Sequence, residues 1–528
     1  MKPKVTWIAL CTVAISFCIW LLWSNRRPDH PLKVSFWHWQ TPYELTVAEL
    51  EHLKQMNVKQ IFVRAGTFSS DGENIVLTIP QKYGSGSNSL PVHLVFNADA
   101  GVLRHFEDYK LETIVPQISS RLLGQMDAAK RAGVDVIGIQ LDLDIPTRLL
   151  AKYAQLVRGI RQSNPTFGKR KGFYFSASGL MSWLGTSGAA TLSSELDFIV
   201  PQAYEGVTGT TVDKMRPVFD PEDLKQRLSK AERLNCPYWV GIPAYGHAFL
   251  FDNQGRLTST YRGLEAQDAL RHPSFALEAA YPSDRLGGVA ANEDDWVGEE
   301  IVKFKAVRPD QNGRGLGYTL AYSLPTPELV GKASTIVDQF RGQRCQGVII
   351  YRMPEPGSSF TVDLDSTSKA LQGKSVSPKF EVKVSKGKDV LGAIEENQNR
   401  IPIDLYVTAK NIGDAPTAVA PDAFELTLEL NKPGIGEARL RNFDSMDSFQ
   451  QSNGQKLSKS SPANANVLVL RKGFVATGTT LVAGPIRLRS TGDLYVKIKM
   501  RIRTKSGLVT TDTQLPDTLL KAESGTSP

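Results

Sequence analysis

Cysteine and histidine are scarce in this sequence, with four cysteines and seven histidines among 528 residues. Two of the cysteines lie in an apolar run at the amino terminus, and the other two, Cys236 and Cys345, have neither CxxC spacing nor a nearby histidine. Metal sites need several such ligands at short spacing. The sequence also lacks a GxGxxG motif and a Walker loop, the usual signs of a bound nucleotide. We therefore expect no metal and no cofactor.

Strong charge of either sign is also missing. The formal net charge of +8 is modest for this length, and no basic run is interleaved with aromatic residues as in proteins that bind nucleic acid. Hydrophobic residues make up 41% and charged residues 22%, which excludes general disorder and a polytopic membrane protein. We expect two folded domains that do not bind nucleic acid.

One long apolar run is present, at residues 5–23. Lys2 and Lys4 precede it, and Arg26 and Arg27 follow. Its length, about 19 residues, matches a helix that crosses the hydrocarbon core of a membrane. No small-x-small cleavage site follows the run. We predict an uncleaved signal anchor and short linker over residues 1–31, which holds the rest of the chain at the inner membrane, on its periplasmic or extracellular side.

Residues 32–372 alternate short apolar runs with amphipathic stretches, a pattern typical of parallel strands joined by helices. The pair Thr46 and Glu49 predicts the capped start of one of these helices. Eight strand candidates are present, at residues 34–39, 60–65, 92–97, 136–143, 172–178, 197–203, 238–243 and 347–352. Eight strands with interleaved helices predict an α/β fold, a (β/α)8 TIM barrel, rather than an open doubly wound sheet.

Further regions interrupt or follow the barrel. Residues 247–325 are too many for one loop between strand seven and its helix, so we expect an inserted lobe over the barrel mouth. A Ser/Lys/Gly-rich linker at 373–379 precedes residues 380–517, where apolar residues alternate with period two and predict an antiparallel β-sandwich. Small polar residues at 518–528 predict a disordered tail.

Basic residues alternate with apolar ones along one strand near the end of the sandwich region. This face is compatible with contact to anionic polysaccharide or lipid headgroups, although a solvated strand face is the commoner arrangement. Its basic positions are Lys497, Lys499, Arg501, Arg503 and Lys505.

Cys236 and Cys345 each precede an apolar run by one or two residues. If those runs are the last two strands of the barrel, both sulfur atoms lie at its bottom rim, within reach of a disulfide in an oxidising compartment. A disulfide and a pair of buried thiols are equal alternatives.

The fourth strand carries the residues that most favour chemistry. Alternation along a strand turns Gln140, Asp142 and Asp144 toward the barrel interior, with Asp144 highest at the mouth. Active sites of such barrels lie at the carboxyl ends of the strands. Two carboxylates this close repel each other, which raises the pKa of one and suits a general acid. The alternative is a buried acid pair satisfied by the backbone or by arginine.

The end of this strand resembles the DxxDxDxE motif of chitinase-like barrels in glycoside hydrolase family 18. Gln140 stands at the middle Asp of that motif, Asp142 at the last Asp, and Asp144 at the catalytic Glu. On the sixth strand, residues 202–205 read Gln-Ala-Tyr-Glu and resemble the M-x-Y-D of the same family.

The last two strands extend the resemblance. Residues 241–246 are similar to the family's G-x-P-x-Y-G, and Tyr351 stands where the family usually has a Trp that forms the floor of the sugar site. Arg352 and Pro354 fit the R-x-P of an uncharacterised bacterial family of exported barrel proteins related to family 18. The four motifs occur in the right order across the predicted barrel.

The resemblance implies that Asp144 is the general acid, that Asp142 is its electrostatic partner, and that Tyr204 and Glu205 hold the reacting sugar, with Glu205 on the nucleophile side as the alternative. Asp144 is shorter than Glu by about 1 Å, and a misplacement of that size can lower a rate about a hundredfold. A direct mechanism with Asp144 and Glu205 is therefore the expected alternative to substrate-assisted catalysis. The implied substrate-binding residues are Gln140, Gln202, Tyr204, Tyr245, Tyr351 and Arg352.

Other residues near predicted strand ends are candidates for sugar binding. Trp37 and Trp39 follow strand one and Trp183 follows strand five, where an aromatic face can stack on a sugar ring. Core packing is the alternative for each. Arg64 ends strand two and is expected either to pair with Asp142 or Asp144 or to form an ordinary structural ion pair.

These observations together predict a glycoside hydrolase that acts on a cell-envelope or environmental polysaccharide by carboxylate acid/base catalysis. The alternative is a non-catalytic glycan-binding or envelope-scaffolding protein with a degenerate cleft, because one barrel fold hosts many activities and inactive relatives.

Overall fold

The structure is a computed structural model that describes residues 31–520 with several gaps. The predicted signal anchor therefore lies outside the described residues. Among the described residues, no helix is both long enough and apolar enough to cross a membrane. The gaps are at residues 73, 85–89, 169–170, 205–209, 216–218, 262, 283–299, 310–312, 314, 343, 388–402, 452–457, 489–493 and 507–508.

A closed barrel of parallel strands forms the larger part of the chain. Its strands are β1 (Lys33–His38), β2 (Ile61–Ser70), β4 (Val92–Ala98), β5 (Val136–Asp142), β6 (Tyr174–Leu180), β7 (Phe198–Gln202), β8 (Tyr238–Pro243) and β14 (Cys345–Tyr351). A short strand, β3 (Ile75–Thr78), extends the sheet by antiparallel pairing with β2. The ring closes because β1 pairs with both β14 and β2. The predicted barrel is confirmed.

Helices lie between the barrel strands along the chain. The first is capped by Thr46, whose side chain accepts a hydrogen bond from the Glu49 backbone N–H, while the Thr46 backbone N–H donates to the Glu49 carboxylate, as predicted. The helices are α1 (Val47–Gln55), α2 (Ala100–Arg104), α3 (Leu111–Arg131), α4 (Leu150–Ser163), α5 (Ser187–Ser194), α6 (Pro221–Ala231), α7 (Ala266–Ala269), α8 (Pro327–Gln339) and α9 (Leu364–Leu371).

Alternation along the barrel strands separates two apolar layers. Outward-facing residues such as Ile139 and Leu141 pack with the helices in the largest core of the molecule. Inward-facing residues, among them Trp37, Phe62 and Val95, form a separate core inside the barrel. The described interior of the barrel is therefore packed, so a ligand site is expected at its mouth.

A five-stranded antiparallel sheet stands between β8 and α8, in the stretch predicted as an inserted lobe. Its strands are β9 (His247–Phe251), β10 (Leu257–Thr260), β11 (Phe275–Pro282), β12 (Glu300–Ala306) and β13 (Thr319–Leu324). Their spatial order is β10-β9-β13-β12-β11.

Two antiparallel sheets follow the barrel and share one apolar core. Their strands alternate buried and more exposed residues, as in a sandwich. The last strand continues to Leu520, so the start of the predicted disordered tail at residue 518 is wrong; residues 521–528 lie outside the described part. The strands are β15 (Phe380–Lys386), β16 (Ile403–Asn411), β17 (Phe424–Leu430), β18 (Ile435–Ala438), β19 (Ser445–Gln450), β20 (Ser458–Lys459), β21 (Val467–Lys472), β22 (Thr480–Leu488), β23 (Leu494–Arg503) and β24 (Val509–Leu520).

The alternating basic residues of β23 face acids on neighbouring segments. Lys499 donates a hydrogen bond to Glu429, and Arg503 donates one to Asp422 at 2.7 Å. Lys505, which the sequence pattern assigns to the same face, is instead buried. The face is a ladder of ion pairs, which leaves less basic charge for the anionic contact considered from the sequence.

Lys505 belongs to a junction where the sandwich, the inserted sheet and the barrel meet. Its Nζ donates a hydrogen bond to the Pro325 carbonyl oxygen at 3.0 Å, just before α8. At the start of β12, Glu300 is 3% exposed, and its Oε1 accepts a hydrogen bond of 2.7 Å from the Val419 backbone. Burial raises the pKa of Glu300 to about 7, although the positive charge of Lys505 acts in the opposite direction.

Cys236 and Cys345 are both buried at the start of neighbouring strands, and the structure contains no disulfide bond between them. Burial raises the pKa of Cys345 to about 12, so its thiol stays protonated. Of the two alternatives drawn from the sequence, the structure has the buried thiols.

Candidate active site

Strand β5 places its polar residues at two depths inside the barrel. Gln140 is fully buried, and its Oε1 accepts a hydrogen bond of 2.8 Å from Trp37 Nε1. Trp37 is itself only 2% exposed. Both residues therefore lie beneath the cleft rather than in its lining, and both contact protein. Asp142 ends the strand one step higher, at the mouth.

Asp142 is held by two donors from the next strands. Gln202 Nε2 donates a hydrogen bond to Asp142 Oδ1 at 2.7 Å, and the Ser178 hydroxyl donates to the same oxygen. Burial raises the pKa of Asp142, while these two hydrogen bonds stabilise its charged form. Gln202, which the sequence predicts as a substrate-binding residue, thus orients this carboxylate.

Asp144 lies two residues beyond the strand, exposed at the rim of the cleft. Among the described residues, no group donates a hydrogen bond to its carboxyl oxygens. The cleft walls remove it partly from water and the charge of Asp142 repels it, and these two effects raise its pKa to about 7. The carboxyl group is therefore open to a ligand and holds a proton over part of the neutral range.

Trp183 fixes the segment that carries Asp144. Its Nε1 donates a hydrogen bond of 3.0 Å to the carbonyl oxygen of Ile145. Trp183 is 1% exposed, so its role as a sugar-stacking platform is wrong and the core-packing alternative is correct.

Aromatic side chains form one wall of the cleft. The Tyr204 and Tyr351 rings are stacked with their centroids 5.1 Å apart. The ring centroids of Trp39 and Tyr245 lie 5.5 and 5.9 Å from that of Tyr351, each in T-shaped geometry. Trp37 lies beneath these rings, with its ring centroid 6.0 Å from that of Tyr351. The structure thus brings together the aromatic residues predicted after strands one, six, seven and eight.

The two predicted arginines occupy different places. Arg352 lines the cleft, with its guanidinium 4.3 Å from the centre of the Tyr245 ring and hydrogen-bonded to Glu355. Arg64 lies inside β2, which continues to Ser70, so its predicted position at the strand end is wrong. Arg64 Nη2 donates to Thr67 Oγ1 at 2.7 Å.

The cleft has a volume of about 430 Å³. Asn97 on β4 lines it and was missed, although the sequence placed it at the end of a predicted strand. The lining residues of the inserted sheet were also missed, because the sequence shows no motif among them. They are His247, Ala248, Thr260 and Tyr261. The described lining residues are Trp39, Asn97, Asp142, Asp144, Gln202, Tyr204, Tyr245, Gly246, His247, Ala248, Thr260, Tyr261, Tyr351, Arg352 and Phe360.

The second predicted carboxylate, Glu205, lies outside the described residues. In the part of the chain that the structure describes, no group of three His, Cys, Asp or Glu side chains is arranged to hold a metal ion.

Comparison with known proteins gives one family match. Residues 109–272, which include β5 through β10 with Asp142 and Asp144, match the profile of a family described as a domain of unknown function, DUF3142. No curated protein matches the chain.

Solved structures with a similar fold include several glycoside hydrolases. The spore cortex-lytic enzyme SleL of Bacillus cereus is 12% identical, with 65% of this chain and 74% of that chain covered and a TM-score of 0.40. A family 18 N-acetylglucosaminidase of Paenibacillus barengoltzii is 11% identical over 64% and 99%, with a TM-score of 0.38. The family 18 chitinase ChiB of Flavobacterium johnsoniae is 10% identical over 65% and 94%, with a TM-score of 0.36. Because these sequence identities and TM-scores are low, the assignment of the barrel rests on the strand pairing in this chain itself.

Proposed function

We propose that the cleft is the active site of a glycoside hydrolase and that Asp144 is its general acid. The observation that carries this proposal is the state of the Asp144 carboxyl group, which is exposed in the cleft, takes no hydrogen bond from the described residues, and has a pKa raised to about 7. A general acid works best when its pKa lies near the working pH, because it must both hold a proton and release it.

Asp142 supports this role through its charge. Ser178 and Gln202 donate to one of its oxygens and so favour its ionised form. A charged Asp142 keeps the proton on Asp144 until a leaving-group oxygen accepts it. The two carboxyl groups then differ in role because their surroundings differ, as in other acid pairs that share a site.

The aromatic wall suits a carbohydrate. Sugar rings present apolar faces, which pack against Tyr204, Tyr351, Tyr245 and Trp39 with little loss of conformational entropy. Arg352 and Gln202 add polar groups to the lining. We propose that these residues orient one sugar of a polysaccharide over the acid.

Glu205 is the proposed second carboxylate, since it directly follows Tyr204 in the sequence. Its distance from Asp144 would define the stereochemistry: about 5–5.5 Å between the carboxyl groups gives retention, and about 6.5–9.5 Å leaves room for the water of an inverting enzyme. We propose that a signal anchor over residues 1–31 holds the enzyme in the cell envelope, where its substrate is an envelope or environmental polysaccharide.

The test is release of reducing ends from chitin, peptidoglycan, β-1,4-galactan and cellulose by the full-length protein in detergent, beside Asp144→Asn. Asn keeps the size of the side chain and removes its proton. Product from the wild type and none from the variant supports the proposal. Binding of a polysaccharide without product, equal in both proteins, favours the non-catalytic glycan-binding alternative instead.

A further inference from the structure

Asn97 lies beside the acid pair, although the sequence did not single it out. In the pairing of β4 with β5, Asn97 is the register partner of Asp142. In the pairing of β2 with β4, it is the partner of Thr67. Neighbouring strands lie about 4.8 Å apart, so these inward side chains are side by side at the mouth.

A β-bulge in β2 makes this arrangement possible. The pairing of β2 with β4 shifts between Arg64 and Gly66. Because one extra residue is accommodated there, the alternation slips, and Thr67 faces the same side as Arg64 three positions earlier. Bulges beside active sites often re-aim a side chain in this way.

Arg64, Thr67 and Asn97 form a chain of hydrogen bonds in which each residue donates to the next. The Arg64 guanidinium has only donors, and its Nη2 donates to Thr67 Oγ1 at 2.7 Å. The Thr67 hydroxyl has one proton, which it donates to Asn97 Oδ1 at 2.8 Å. The amide of Asn97 is thereby fixed with its oxygen toward Thr67, and its Nδ2 is left as a donor. Among the described residues, no acceptor is bonded to that nitrogen.

Asp142 has the complementary arrangement. Its Oδ1 accepts the hydrogen bonds from both Ser178 and Gln202. Within the described ranges, no donor is bonded to Asp142 Oδ2. A fixed donor on Asn97 and an open acceptor on Asp142 thus stand on adjacent strands in the lining of the cleft.

We propose that Asn97 and Asp142 form a two-point site for one sugar hydroxyl group. Asn97 Nδ2 donates to the hydroxyl oxygen, and Asp142 Oδ2 accepts the hydroxyl proton. A hydroxyl group is both donor and acceptor, whereas an ether or a deoxy position cannot satisfy both partners. Arg64 and Thr67 are positioning residues that fix the orientation of the Asn97 amide. This inference rests on the proposed function for its ligand, a carbohydrate, but it does not require turnover.

The experiment measures binding of chitohexaose, cellohexaose and β-1,4-galactohexaose by calorimetry. The parent is the full-length Asp144→Asn protein in detergent, and the ligand with the tightest binding is carried forward. Asn97→Leu removes the donor while keeping a side chain of similar size. It lowers affinity about tenfold, because the oxygen of the sugar hydroxyl group then loses its hydrogen-bond donor. Thr67→Val lowers it about threefold, because the amide is then able to turn. Thr67→Ser restores the affinity.

Thr335→Val is the matched control. Thr335 is an exposed residue of α8 whose hydroxyl bonds to Gly331 in its own helix, so this change leaves binding unaltered. Equal affinity of the parent and Asn97→Leu overturns the inference, as does a Thr67→Ser variant no better than Thr67→Val. If the hexasaccharide binds in this pattern but the wild-type protein releases no product, the proposed function fails and the hydroxyl site stands. If none of the three binds the parent, both fail.

Discussion

Among the described residues, two carboxyl groups have a pKa raised to about 7: Asp144 in the cleft, and Glu300 at the junction of the sandwich, the inserted sheet and the barrel. Removal from water, which is nearly complete for Glu300 and partial for Asp144 between the cleft walls, is the largest cause in both cases. The surroundings differ in every other respect. Glu300 accepts a backbone hydrogen bond and feels the positive charge of Lys505. Asp144 is exposed, takes no hydrogen bond from the described residues, and feels the negative charge of Asp142.

The comparison shows that a raised pKa alone does not identify a catalytic group. At the junction, a cation and a backbone donor partly compensate the acid, and its side chain is buried. In the cleft, a second acid replaces the cation, and the carboxyl group is open to a substrate. Perturbed groups occur in structural networks as well as active sites, so the partner charge and the exposure decide between the two.

The largest expected effect is on activity in the cleft. Asp144→Asn removes the proton donor and is expected to lower kcat by about 10²–10⁴, the usual contribution of a general acid. The melting temperature is expected to stay the same, since no described group is hydrogen-bonded to this carboxyl. Initial rates and thermal melts of the same preparation check both statements. An inactive variant that also melts early would mean that Asp144 is structural.

The opposite pattern is expected at the junction. Lys505→Met removes the buried cation near Glu300 and is expected to destabilise the fold by about 3–5 kcal/mol, because the buried acids Glu300 and Glu328 then lose the positive charge that acts most strongly on them. Activity per folded molecule is expected to stay unchanged. Denaturant unfolding measures the first effect and initial rates the second. Adding Glu300→Gln should recover part of the stability; no recovery would show that the charge of Glu300 is not the reason for the loss.

The pH dependence of stability sharpens the same contrast. The pKa of Glu300 is about 7 in the folded protein and 4.5 in its ordinary state. The folded state therefore holds a proton that the unfolded chain releases, and this stabilisation is lost as the pH rises from about 4.5 to 7, by about 3 kcal/mol in all. Unfolding free energies of the wild type and Glu300→Gln, compared across this window, isolate the contribution. A constant difference between the two proteins would contradict it.

The smallest expected effect concerns the support of Asp144. Trp183→Phe keeps a buried aromatic ring and removes the hydrogen bond to the Ile145 carbonyl oxygen. Loss of one buried bond is expected to destabilise by about 1–3 kcal/mol, and a shift of the neighbouring acid is expected to lower kcat about tenfold. Melts and initial rates measure the two effects. A variant with full activity would show that this bond does not position the acid.

The barrel strands and the acid pair could be predicted from the sequence, because both depend on local periodicity. Eight apolar runs predicted the strands, and alternation predicted that Gln140 and Asp142 face inward, as the structure confirms. The capping pair Thr46 and Glu49 is equally local, since its residues are three positions apart.

The remaining features depend on contacts between distant residues. The bulge at Arg64 and Gly66 breaks the period that the alternation argument assumes, so the group around Asn97 was not predicted. Thr260 and Tyr261 reach the cleft only through the pairing of the inserted sheet. Lys505 continues a basic pattern along the chain, but it follows the end of β23 and enters the junction.

The pH dependence of kcat/KM in the wild type and in Asp142→Asn tests most directly whether Asp142 keeps Asp144 protonated. The substituted amide keeps an oxygen that accepts from Ser178 and Gln202, and the change removes the charge that acts on Asp144. A general acid is active when protonated, so the wild-type activity is expected to fall as the pH rises through about 7. In the variant, the pKa of Asp144 is lower, and the fall is expected at lower pH. An identical fall in both proteins would contradict the claim that Asp142 keeps Asp144 protonated.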